Sequence, residues 1–231
     1  MSEKWFWRLR LFERRTIWWP TWAGFCCFVA GFFLVGWTWV IYGESFLAQT
    51  VRAPADTLVV EGWIGRAGLR AAVDEFERGG YQYLVACGGL TSGRWEDQPE
   101  SYAEMAGREM LRLGVSKERL LVATSENTEK YRTFESAVAV WRTLRDASIK
   151  PKGINVFTLG PHARRSELVF AKVNSGVEIG AIGWMPPGFQ SEPWWHSSDR
   201  SRELLEETAG YVYEFLLNSG RPSNSPTGHI D

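Results

Sequence analysis

The chain has 231 residues, 45% of them hydrophobic, and a formal net charge of -1. That balance leaves no electrostatic footprint for nucleic acid, so no nucleic-acid partner is expected, and it gives no argument from charge for an acidic ligand. Of the three cysteines, Cys26 and Cys27 fall in an apolar run and Cys87 stands alone beyond it, which excludes an intrachain disulfide in the rest of the chain.

Residues 1–15 carry Lys4, Arg8, Arg10, Arg14 and Arg15 against Glu3 and Glu13. From Thr16 to Gly43 no side chain is charged, a length that suffices for a transmembrane helix. The positive flank predicts a single-pass anchor with a cytoplasmic N-terminus and an extracytoplasmic main domain. Trp18, Trp19 and Trp22 at one end and Trp37, Trp39 and Tyr42 at the other suit the two headgroup belts. The apolar core is longer than that of a secretory signal, although Gly43-Glu44-Ser45 leaves cleavage as the alternative. The bilayer is thus the first expected partner.

Residues 44–55 read as a linker, 56–218 as one α/β domain, and 219–231 as a disordered tail rich in Pro, Ser, Gly and Asn. Within the domain, strands are expected at 57–60, 83–87, 120–124, 155–159 and 177–182, each nearly continuously apolar, as strands buried on both faces should be. Helical periodicity separates them. Leu69, Ala72, Val73 and Phe76 share one face before Gly79-Gly80, and Ser101 with Glu104 forms a capping box for a helix ending near Gly114. A third helix begins near Thr133, a fourth runs from about Ala163 to Val173, and a fifth, 202–217, is expected to turn Leu205, Thr208, Val212 and Phe215 inward. The fold class is a three-layer α/β/α Rossmann-like sandwich with a mainly parallel five-stranded sheet, preceded by one transmembrane helix.

In such a sheet, ligands bind outside the carboxyl ends of the strands. The residues there are Glu61-Gly62-Trp63, Gly88-Gly89, Ser125 to Thr128 with Asn127 among them, and Gly160 to Arg165. Gly88-Gly89 lets backbone N–H groups approach an anion or serves a tight turn. His162, Arg164 and Arg165 at a helix N-terminus suit an anion, since the dipole and the guanidinium fork both favour one. The competing reading pairs one arginine with Glu167 or Glu178. Glu61, ending a buried strand, is either a functional carboxylate or an ion-pair partner of Arg66 or of one of the paired arginines. Cys87 reads as a small hydrophobe rather than a nucleophile served by His162. There is no metal-ligand spacing, no GxGxxG, no P-loop and no GxSxG elbow. Trp194 and Trp195 read as packing at the sheet edge, with Ser198 or Asp199 capping the last helix.

Taken in order, Asp56 to Gly62, Cys87-Gly88-Gly89, Glu100-Ser101-Tyr102-Ala103, Leu113-Gly114-Val115, Arg132 to Ala137 and His162 to Arg165 resemble the SanA/ElyC/YdcF family of bacterial envelope proteins. The resemblance spans 55–182 and implies a Rossmann-like domain, a role in cell-envelope or peptidoglycan biogenesis and, in some members, binding of S-adenosylmethionine. Asp56, Gly88, Gly89, Glu100, Thr133, His162 and Arg165 fall on its motif positions. Glu61-Gly62-Trp63 departs from the usual Leu-Gly-small pattern, and Asn127 to Tyr131 lacks the usual Asn-Thr-x-Glu-Asn. The ligand-binding candidates are Gly62, Gly88, Gly89, Glu100, Asn127, Thr133, Arg164 and Arg165, with Glu61 and His162 as acid or base if the site turns over. The expected ligand is anionic, such as a lipid-linked cell-wall precursor. The alternatives are a non-catalytic scaffold for envelope-assembly proteins and an S-adenosylmethionine-binding transferase.

Overall fold

The computed structural model describes residues 20–90, 100–126, 131–174, 176–189 and 192–216, so segment 1–15, Asn127 and tail 219–231 lie outside the described residues. The chain divides into two units, 1–40 and 41–231. The first is dominated by α1, Trp22–Leu47, whose residues from Ile41 on belong to the second. Twenty-six helical residues extend about 39 Å at 1.5 Å each, more than the ~30 Å of a hydrocarbon core. Phe28, Phe32, Leu34 and Val35 are exposed along it, and the helix is long and apolar enough to cross a membrane.

The second unit holds a five-stranded, all-parallel sheet in the order β3-β2-β1-β4-β5. The strands are β1 (Thr57–Glu61), β2 (Tyr83–Gly88), β3 (Leu120–Thr124), β4 (Gly153–Leu159) and β5 (Glu178–Trp184). Alternation along β1 sends Leu58 and Val60 into one apolar layer and Val59 into the other. The first layer is completed by Leu69, Phe76, Ala106 and Met110 from α2 (Gly65–Gly79) and α3 (Tyr102–Arg112). The second takes Val140, Trp141 and Leu144 from α4 (Arg132–Asp146) and Phe170 from α5 (Ala163–Val173). This is the expected α/β/α sandwich.

The boundaries differ in informative places. β1 runs one residue beyond the expected 57–60, so that Glu61 ends the strand and is buried, as its place after the apolar run suggested. The capping box of α3 is complete, with Glu104 N–H donating to Ser101 Oγ at 3.1 Å and Ser101 N–H to Glu104 Oε2 at 3.0 Å. The expected linker is fixed to the domain: Val51 exchanges 2.8 Å hydrogen bonds with Ala181, and the buried Asn155 amide holds both backbone groups of Ala53.

The last helix, α6 (Ser198–Leu216), begins four residues earlier than expected. Its cap is Ser197 rather than Ser198 or Asp199, because Ser197 leaves the preceding turn extended and accepts from Arg200 N–H at 3.4 Å. The inward face is also corrected: Leu205 and Phe215 are 61% and 60% exposed, while Arg200, Leu204 and Glu214 are buried. Polar partners beneath α6 turn its charged residues inward. Trp194 is half-buried and Trp195 exposed, and their rings meet edge to face at 5.5 Å.

Candidate functional site

Where β1 and β4 lie side by side, the chain order of the sheet reverses, and four ionisable side chains converge just beyond the strand ends. Glu61 comes from the end of β1, His162 from the 3-10 turn after β4, Arg165 from the first turn of α5 and Glu207 from the middle of α6. His162 Nε2 lies 3.2 Å from Glu61 Oε2, and its Nδ1 lies 2.9 Å from Glu207 Oε1. Arg165 grips Glu207 with both edges of its fork, Nε to Oε2 at 2.7 Å and Nη2 to Oε1 at 2.9 Å. Thr133 Oγ1, at the start of α4, accepts from Arg165 Nη1 at 3.3 Å and lies 3.5 Å from His162 Nε2.

A ring nitrogen facing a carboxylate on each side fixes the protonation state. Burial disfavours the imidazolium, but Glu61 and Glu207 outweigh it and raise the His162 pKa to about 9. With both nitrogens protonated, the 2.9 Å approach of Arg165 Nη2 to Nδ1 is a contact between two donors that share Glu207 Oε1. Burial opposes the charge on Glu61 too, yet the neighbouring imidazolium and the hydrogen bonds from His162 and Thr158 hold its carboxyl below the ordinary glutamate value. Ser166 Oγ donates to its other oxygen at 3.2 Å, so both carboxylate oxygens are satisfied. Glu207 likewise overcomes its burial and is lowered by His162 and Arg165. Two anions and two cations thus cancel in a nearly dry site. Trp63, 38% exposed, stands edge-on to the His162 ring at 5.2 Å and screens it from water.

Of the expected residues, Glu61, His162, Thr133 and Arg165 come together. Arg164 does not join them: its guanidinium lies 3.9 Å from the centre of the Phe46 ring and donates to Gln49. Adjacent helical residues point about 100° apart, so neighbouring arginines cannot close one clamp, and neither Glu167 nor Glu178 is its partner. Glu61 pairs with His162 rather than with Arg66. Glu100 binds Arg108 instead of facing the crevice. Gly62 is required by packing, since a Cβ there would sit 2.3 Å from the Tyr102 carbonyl oxygen. Gly88, at φ +149, would meet Tyr102 Cβ at 2.8 Å. These two glycines seat α3 against the sheet, and Gly89 abuts Ser125 Oγ. Cys87 is buried among apolar side chains, and burial, with Glu61 nearby, pushes its thiol well up, which suits a hydrophobe and not a nucleophile.

Glu207, Thr158 and Ser166 complete the site without having been expected there. Tyr131, just before Thr133, holds φ 61, a left-handed conformation rarely taken by a bulky residue. A cavity of about 470 Å³ bounded by Arg52, Glu75, Tyr81 and Asn155 opens at the amino ends of the strands, away from this cluster. Its polar groups already have partners, Arg52 with Glu75 at 2.8 Å and Asn155 with Ala53 and Tyr81.

At the switch point the Gly62 turn is closed against Tyr102, Glu61 is engaged by Thr158, Ser166 and His162, and β2 ends in Gly88. Among the described residues no group of three or more His, Cys, Asp or Glu could hold a metal ion. No model of a known protein family and no curated protein matches the chain.

Proposed function

We propose that this is a membrane-anchored protein of the bacterial envelope, akin to the SanA/ElyC/YdcF family, whose extracytoplasmic domain binds an anionic ligand at the β1/β4 switch point. The phosphate of a lipid-linked cell-wall precursor is the ligand class in view. One observation carries the reading: a carboxylate, that of Glu207, already lies in the Arg165 fork against the Nδ1 edge of His162, beside the Thr133 hydroxyl. A phosphate presents the same oxygens with more charge and would take the place of Glu207, either by rotation of that side chain or by a shift of α6. Glu61 then has a positioning role. It holds His162 through Nε2, leaving the Nδ1 proton to face the ligand, as a second carboxylate orients an imidazole in other acid–base sites. Should the ligand be turned over, His162 is the group placed to donate a proton.

Calorimetric titration of the full chain in detergent, with pyrophosphate and with head groups of lipid-linked precursors, tests this reading. Saturable binding lost in Arg165→Ala and His162→Ala supports it; equal affinity in all three proteins contradicts it. A second reading, a scaffold for envelope-assembly proteins, draws on the internal charge balance of the cluster, which leaves no net charge to recruit a ligand. In that case no anion binds and the same substitutions alter stability alone.

A further inference from the structure

No side chain of α6 belongs to either apolar layer of the sandwich. The helix is held instead along one face, Arg200, Leu204, Glu207, Tyr211 and Glu214, of which Leu204 is the one buried apolar side chain. Arg200 Nη2 donates to Glu44 Oε1 at 2.6 Å and Nη1 to the Glu192 carbonyl at 2.7 Å, while its buried Nε has no hydrogen-bond partner among the described residues. Glu207 is held by Arg165 and His162, Tyr211 meets the Phe46 ring edge to face at 5.6 Å, and Lys172 donates to the Glu214 carbonyl. An element fastened in this way opens at less cost than the strands and helices that build the layers. When it lifts, both partners of each ion pair regain water, and that hydration offsets much of the lost attraction.

We infer that α6 is an autoinhibitory strap: it keeps Glu207 in the place of the anion at the β1/β4 site, the last turn of α1 latches it there through Glu44, and the ligand enters as the helix lifts. The inference rests on reading that site as an anion site and adds how access to it is governed. One observation favours lifting of the helix over rotation of the Glu207 side chain alone. A carboxylate turned out of the Arg165 fork under a stationary helix stays in an acidic neighbourhood: Glu203 stands one turn before it, and burial, then Glu207 and Glu44, already raise the Glu203 carboxyl. A second observation identifies the latch. Arg200 and Tyr211 lie on the same face as Glu207, one on either side of it, and both are fastened to the last turn of α1, to Glu44 and to Phe46. Leu47, in that turn, is fully buried, and all these residues belong to the second unit. A closed strap lowers the apparent affinity by the fraction of molecules in which it is open, so loosening the latch raises affinity without touching the anion's own contacts.

Amide hydrogen exchange of the full-length protein in detergent, with and without pyrophosphate, reads the helix directly, and calorimetric titration of wild type, Glu44→Ala and Glu207→Ala reads the latch. Pyrophosphate should speed exchange across 198–216, because a helix of this length is marginal once undocked, while slowing it at 160–166. Glu44→Ala should bind pyrophosphate severalfold more tightly than wild type. The exchange measurement uses no variant, so it decides the matter even where Glu44→Ala fails to fold. Pyrophosphate that binds and leaves exchange in α6 unchanged or slower overturns the strap in favour of side-chain rotation. Equal affinity of Glu44→Ala and wild type, with tighter binding by Glu207→Ala, overturns the latch and keeps the anion site. No binding by any of the three proteins overturns the anion site itself, and the strap with it.

Discussion

Glu61, which closes β1, and His162, which follows β4, meet at 3.2 Å across the place where the sheet order reverses. The contact ties the two central strands together at their carboxyl ends and buries an ion pair where a Rossmann-like fold ordinarily opens to its ligand. Buried ion pairs are costly to break from one side, because the partner is left charged and desolvated.

Glu61→Gln should therefore destabilise the outer domain by about 3–5 kcal/mol, the usual cost of removing one member of a buried pair. It should also lower the pKa of His162, whose raised value depends on two carboxylates. Urea unfolding followed by tryptophan circular dichroism and a nitrogen-15 imidazole titration measure the two effects. Unchanged stability with an unchanged imidazole pKa would show that the pair contributes nothing.

The pH dependence has a definite sign. His162 is raised from 6.5 to about 9, so its contribution, about 3 kcal/mol on conversion of the shift, is complete below pH 6.5 and disappears as pH rises through 9. Glu61 and Glu207 are lowered, so theirs is complete above about pH 4.5 and is lost as pH falls further. Melting temperature against pH should fall on both sides of a plateau, and His162→Gln should remove most of the alkaline limb. An alkaline limb identical in that variant counts against the imidazolium.

Gly62→Ala should cost about 1–3 kcal/mol, since its Cβ meets backbone rather than a yielding side chain. Gly31→Ala in α1, where nothing lies within 4 Å, is the control and should cost nothing. Thermal unfolding of the two variants distinguishes a packing role for Gly62 from a role reserved for ligand approach, in which stability would be untouched.

Arg164→Ala should leave anion affinity as it is while loosening the contact with Phe46 and Gln49; Arg165→Ala should abolish it. Equal losses in both would restore the double-arginine clamp that the adjacent sequence positions suggested.

The sheet was legible because its strands are buried on both faces and spell out continuous apolar runs, and α3 because both halves of its capping box are written in Ser101 and Glu104. α6 misled for a physical reason. Periodicity assigns the apolar stripe to the core, and Leu205, Val212 and Phe215 form such a stripe, but the core beneath α6 is a set of ion pairs. The competing stripe of Arg200, Leu204, Glu207, Tyr211 and Glu214 has equally good helical spacing, and only knowledge of Arg165 and His162 beneath it decides between them. For the same reason Glu207 was absent from the candidate residues. The paired arginines needed only the 100° rotation per residue to be separated into one that faces the crevice and one that faces Phe46.

The most direct test of the central claim is the melting temperature of Glu207→Ala in the full-length protein, with and without pyrophosphate. Removing the carboxylate leaves Arg165 and the Nδ1 edge of His162 facing an opened site, so the variant should melt lower than wild type and regain stability as pyrophosphate is added, by mass action on the folded state. Wild type, with Glu207 in place, should respond far less. A variant that melts low and gains nothing from the anion would contradict the account and leave the cluster as a structural ion network.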